Sequence, residues 1–238
     1  MPRLSGLWVT FSALAVGLSA CAGPRPGTDL VVLVHGMGRT SLSMAPMEVA
    51  LRRAGYRVLN VGYSSQRPGV AEIGRQVGRA VEAELAREPA PRVHFVGHSL
   101  GTVATRWLLA HDPPPGSGRV VMLAPPNRGA ASADRWAPRV GWLLPPIREL
   151  QTAGGPAADL GLPDGVEVAV IAGDRDGKVT VAETCLPGAA HAVVPSRHTF
   201  IMMRPRVIGL VRAFLDTGVL PGAGQACADG PVADGPAG

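Results

Sequence analysis

At 238 residues the chain is long enough for one sizeable domain and short for two. Hydrophobic residues make up 46% of it, so a packed core is within reach and wholesale disorder is excluded. The formal charge is only +5, and the arginines are scattered without interleaved aromatics, which argues against a nucleic-acid-binding surface.

The N-terminal stretch MPRLSGLWVTFSALAVGLSACAG places Arg3 before an apolar run from Leu4 to about Leu18, followed by small residues. That is the order of an export signal. The run falls short of the roughly 20 apolar residues that span a bilayer. Its end, Leu18-Ser19-Ala20-Cys21, resembles the bacterial lipobox. The resemblance implies that residues 1–20 are removed and that Cys21 carries lipid. The alternative is an ordinary signal peptide with a chance cysteine. Several acyl chains on one residue anchor stably, where one binds only marginally. The expected location is therefore the bacterial cell envelope, on its periplasmic or extracytoplasmic face. Residues 21–29 read as a Pro/Gly tether.

Beyond the tether, strands and helices alternate. DLVVLVHG carries a continuous apolar run, Leu30 to Val34, as in a strand covered on both faces. Ala45 to Ala54 reads as a helix closed by Gly55. YRVLNVGY is a second strand. Val70 to Arg87 is a helix with Val70, Ile73, Val77, Val81 and Leu85 at steps of three or four. RVHFVG is the third strand, Leu100 to Ala110 a helix, and RVVMLAPP the fourth strand. Asn127 to Pro163 breaks the rhythm with Gly, Pro and Ala and reads as a lid-like insertion. VEVAVIAGD and AAHAVVP are the fifth and sixth strands, and a helix closes the domain near Pro205 to Leu215. Residues 221–238 read as a flexible tail. The alternation predicts an α/β domain over 30–220, with a mostly parallel sheet of about six strands and helices on both faces.

Gly97-His98-Ser99-Leu100-Gly101 fits G-x-S-x-G, and it lies between a strand and a helix. That context gives the pentapeptide its meaning. A tight strand-to-helix turn exposes the serine, and the helix N-terminus behind it offers N–H groups to an oxyanion. A serine hydroxyl needs a base, and the base an orienting acid. Of six histidines, His94, His111 and His191 sit in structural positions, while His35 and His98 belong to turn motifs. His198, between the last strand and the last helix, is placed to reach over the sheet edge. Asp176 in DGKV is the favoured acid, and Asp174, nearer the strand end, is the alternative. The order Ser99, Asp176, His198 is that of α/β-hydrolases. The predicted amide donors to the oxyanion are Leu100 and, in the His35-Gly36-Met37-Gly38 loop, Met37.

These features resemble the α/β-hydrolase superfamily, and within it the compact bacterial lipase/esterase branch of PGAP1-like and EstA-type relatives. The residues that carry the resemblance are LVHGMGRTSLSM, YRVLNVGYSS, HFVGHSLGTVATRWLL, VMLAPPNRGA, DGKVTVAET and RHTFIM. It implies a serine hydrolase acting on ester or lipid substrates through an acyl-enzyme on Ser99, with no metal and no cofactor. The rival readings are an acyltransferase using the same acyl-enzyme and a non-catalytic, lipid-anchored binding protein. With Cys21 lipidated, Cys185 and Cys227 remain as an even pair in an oxidising compartment, and they are expected to form a disulfide.

Overall fold

The computed structural model describes residues 28–161, 164–224 and Cys227. The signal-like segment 1–20, Cys21, most of the tether and most of the 221–238 tail lie outside the described residues.

Six strands form one sheet: β1 (Leu30–Val34), β2 (Arg57–Val61), β3 (Val93–His98), β4 (Ser117–Leu123), β5 (Val168–Gly173) and β6 (Ala190–Val194). Every neighbouring pair is parallel, in the order β2-β1-β3-β4-β5-β6. Parallel neighbours need crossover connections, and helices predicted from the apolar period supply the first three. They are α1 (Ala45–Arg53), α2 (Val70–Arg87) and α3 (Leu100–His111), with α6 (Pro205–Thr217) closing the chain. A 3-10 turn over Ser41–Met44 leads into α1.

β1 shows why its sequence is apolar without alternation. Leu30, Val32 and Val34 pack with Val70, Ile73, Val77 and Val81 of α2 and with Leu100 and Leu108 of α3. Val31 and Leu33 pack on the opposite face with Met47 and Leu51 of α1 and with Val211 and Phe214 of α6. A strand buried on both faces has no polar side. Each fully buried aliphatic side chain here stabilises by roughly 1.5–3 kcal/mol relative to exposure. Among the described residues no helix is long and apolar enough to cross a membrane.

From β1 the chain runs outward to β2, then returns past β1 to β3 and continues the other way. The strand order therefore reverses between β1 and β3. In open α/β sheets the crevice at the carboxyl ends of such a pair is where ligands bind. The loop after β1 and the turn after β3 both open there.

The 127–163 segment, for which the sequence pattern predicts no element, contains α4 (Ala131–Val140), a 3-10 turn over Pro145–Leu150, and α5 (Pro156–Asp159). Pro138 inside α4 and the abundance of Gly and Ala hide the helical period. The segment is tied down by polar groups. Ala130 N–H donates to Leu150 O at 2.8 Å. Glu183 accepts from Ala131 N–H at 2.7 Å and from Thr180 N–H at 2.6 Å, which joins the start of α4 to the loop after β5. Arg106 of α3, 1% exposed, donates to Asn127 Oδ1 at 3.2 Å, Ala157 O at 2.9 Å and Gly161 O at 3.3 Å. Its burial pulls the guanidinium pKa down to about 10, so it remains a cation at neutral pH.

Candidate active site

Ser99 stands between β3 and α3 with φ 52° and ψ −123°, in a region that a side chain rarely adopts. The flanking glycines hold it there for steric reasons. A Cβ on Gly97 would lie 3.0 Å from the Thr102 backbone. One on Gly101 would lie 2.4 Å from Val34 O and 2.5 Å from His35 O. The serine is thus thrust up at the sheet edge while α3 presses against the end of β1.

His198 opens a 3-10 turn (His198–Met203) after β6, and its Nε2 accepts from the Ser99 hydroxyl at 3.0 Å. Its Nδ1–H donates to Asp176 Oδ2 at 2.7 Å. The other oxygen of Asp176 accepts from the N–H groups of Lys178 (2.8 Å) and Val179 (3.0 Å), which fixes the carboxylate, and its side chain is 1% exposed. The structure therefore brings Ser99, His198 and Asp176 into one hydrogen-bonded line. Asp174 is elsewhere: it accepts from Ser196 N–H at 3.2 Å, and its side chain is 43% exposed.

The remaining histidines take other places. His94 Nδ1 accepts from Arg119 N–H at 2.8 Å, so Nε2 carries the proton that faces Asp29 at 3.3 Å. His191 bonds the Thr184 hydroxyl at 2.9 Å, and His111 the Trp107 carbonyl at 2.8 Å. His98 is buried beside the serine, and its Nε2–H donates to His198 O at 3.1 Å. Burial, then the neighbouring His198, hold the His98 imidazole well below the usual histidine range. His98 is accordingly a neutral strut under the His198 backbone.

Met37 lies beyond β1, and Leu100 is the first residue of α3, where N–H groups lack intrahelical partners. The β1 loop is pinned by groups that the sequence motif does not reveal. Tyr63 donates its hydroxyl to His35 O, and its ring stacks on His35 at 4.0 Å. Gly38 N–H donates to Ser65 Oγ at 3.0 Å, and Ser65 Oγ–H donates to Arg39 O at 3.3 Å. Tyr63 and Ser65 lie in the YSS stretch directly after β2, which the family resemblance includes but to which the sequence assigns no role.

Ser99 and His198 open into a cavity of about 390 Å³. One wall is apolar, formed by Ala133, Trp136, Val140, Leu144, Ile147 and Leu150 of the insertion. Cys185 and Cys227 are joined by a disulfide, with Cα atoms 5.4 Å apart. His191 lies close to both sulfurs. Sulfurs joined to each other present no thiolate to a metal.

The model of the alpha/beta hydrolase family matches residues 31–232. The chain belongs to that family. Solved structures agree on the fold at low identity. The mature form of the Bacillus licheniformis lipase BlEst2 superposes with a TM-score of 0.67 at 18% identity, covering 81% of this chain and 93% of that one. A Pyrococcus furiosus esterase gives 0.62 at 18%, covering 80% and 82%. The Legionella pneumophila phospholipase PlaB gives 0.61 at 19%, covering 83% and 58%. No curated protein matches the chain significantly in sequence.

Proposed function

We propose that the chain is a serine hydrolase of carboxylic esters, with Ser99 as nucleophile, His198 as general base and Asp176 as the orienting acid. The observation that carries this reading is the continuous hydrogen-bonded line from Ser99 Oγ through both nitrogens of His198 to a buried, doubly anchored Asp176. The hydroxyl proton passes to His198 Nε2 as Oγ forms a bond to the ester carbonyl carbon. Asp176 holds the ring in the required tautomer and stabilises the imidazolium. The N–H groups of Met37 and Leu100 receive the developing oxyanion. As the carbon–oxygen bond breaks, the imidazolium returns its proton to the leaving alcohol. Water then attacks the acyl-enzyme by the same route and frees the acid. No cofactor enters this sequence.

The lipase and esterase neighbours and the apolar wall support an ester with an acyl chain. The motif stretches support membership of the PGAP1-like and EstA-type branch, and the resemblance of Leu18-Ser19-Ala20-Cys21 to a lipobox supports a site in the cell envelope on a lipidated Cys21. The test is covalent labelling by a neutral fluorophosphonate, together with turnover of short acyl esters. Ser99→Ala should abolish labelling and lower turnover by roughly 10⁴-fold or more. His198→Ala should lose a similar amount, while His191→Ala should not. Undiminished turnover in Ser99→Ala overturns the reading. An added alcohol acceptor that captures the acyl group in preference to water would make the enzyme an acyltransferase.

A further inference from the structure

The chain contains a single lysine, Lys178, and it lies at the mouth of the Ser99 cavity. Arg39 lines the same cavity, and among the described residues no carboxylate side chain does so. Among the described residues neither Arg39 nor Lys178 forms a salt bridge, although most of the other ion pairs here use arginine. The two cations come from opposite sides of the nucleophile strand. Arg39 follows β1 and Lys178 follows β5, and β3 lies between those strands in the sheet.

Both are planted on fixed backbone. The Arg39 carbonyl accepts from Ser65 at 3.3 Å, and its guanidinium lies 5.8 Å from the centre of the half-exposed Phe200 ring. The Lys178 N–H donates to Asp176 at 2.8 Å, and its carbonyl accepts from Ser132 at 2.6 Å. Their fields reach the catalytic centre: after burial and His198, the charges of Arg39 and Lys178 also push the His98 pKa down. Unpaired cations of this kind, fixed around a cleft of low dielectric, raise the local concentration of anions.

We infer that the preferred substrate is a single-chain ester whose alcohol part carries an anionic group, bound between Arg39 and Lys178 while the acyl chain lies on the apolar wall of the insertion. This rests on the serine-hydrolase reading above. About 390 Å³ is near the low end of small-molecule pockets, which run from about 300 to 1,000 Å³, and it suits one chain rather than two. A phosphate or a carboxylate on the alcohol meets the same requirement, and a forked guanidinium favours either.

The experiment compares kcat/KM for one acyl chain carried on three alcohols: neutral glycerol, glycerol phosphate, and a glycerol bearing a carboxylate of similar reach. Wild-type protein should favour an anionic ester over the neutral one by about tenfold or more. A gain on the phosphate ester alone identifies phosphate as the recognised group, and a gain on both identifies charge. Arg39→Met and Lys178→Met should each lower the anionic-to-neutral ratio several-fold. Lys178→Arg should keep it, and Lys178→Glu should invert it. Raising the salt concentration should shrink the preference in the wild type. A ratio near one in the wild type, or ratios that the substitutions leave alone, overturns the inference. Because the ratio is measured on enzyme that turns over the neutral ester, that failure leaves the hydrolase reading standing. Loss of turnover on all three esters together with loss of fluorophosphonate labelling would instead overturn the hydrolase reading and this inference with it.

Discussion

Replacing Gly101 with alanine tests how the sheet sets the geometry around Ser99. The new Cβ would sit 2.4 Å from Val34 O and 2.5 Å from His35 O, and both are backbone atoms. Ordinary contact requires that α3 and the end of β1 separate by roughly 1 Å. β1 is hydrogen-bonded on both edges, to β2 and to β3, so it cannot yield alone. Overpacking of this kind costs about 1–3 kcal/mol, and the rigid neighbours place it at the upper end. Alanine regains up to about 1 kcal/mol by restricting the unfolded chain, which leaves a net loss of about 2 kcal/mol. For a domain of this size that lowers Tm by about 4–8 °C. The functional loss should be larger than the stability loss suggests. The shift separates the Met37 loop from Leu100, and a misplacement of about 1 Å can cost about 100-fold in rate. Thermal unfolding monitored by circular dichroism gives the first quantity. The rate of fluorophosphonate labelling, well below the melting range, gives the second. A variant with wild-type Tm and wild-type labelling rate would refute both the steric argument and its link to the oxyanion.

Asp176→Asn should lower kcat by up to about 10⁴-fold, because the amide no longer enforces the tautomer of His198, whereas Asp174→Asn should stay close to wild type; equal losses in steady-state kinetics would reassign the acid. Burial holds His35, His94, His98 and His191 below the usual histidine value, so the unfolded chain binds more protons than the folded one. Their contribution is fully present above a pH of about 6.5 and declines as pH falls below it, so Tm should drop between pH 7 and pH 5. A flat Tm across that interval would contradict the burial of neutral rings. Reduction of Cys185–Cys227 should lower Tm, with an upper limit of about 4 kcal/mol for a span of 42 residues in the chain-entropy picture. If the Cys227→Ser variant melts with the wild type, the bond contributes nothing. Gly209→Ala in α6, where a Cβ would meet nothing within 4 Å, should raise stability by about 0.5–1 kcal/mol in denaturant titration.

What could be read from the sequence followed from where side-chain periodicity and turn chemistry act locally. The two-sided burial of β1 needs an unbroken apolar run, and Leu30 to Val34 shows one. α2 spans Val70–Arg87, the range read for it, with its apolar period running from Val70 to Leu85. Ser99 was legible because a strand, two glycines and a helix constrain the same five residues. Asp176 and His198 were legible only as ends of successive strands, since parallel strands deliver their following loops to one edge of the sheet. Features that depend on distant partners left no such mark. α4 is held by Glu183 from beyond β5 and packs in a segment anchored by Arg106 of α3, so its stability lies in contacts distant in sequence, not in its own Pro-containing period. Arg39 and Lys178 look like ordinary surface cations in the sequence, separated by most of the domain. Only the order of strands places them on either side of β3, facing one cavity that no carboxylate side chain lines among the described residues. Ser99 and His198 follow a motif and a loop order shared across a broad fold, whereas the charge of Arg39 and Lys178 at the cavity belongs to this chain's own residues, and it is on that charge that the inferred substrate choice rests.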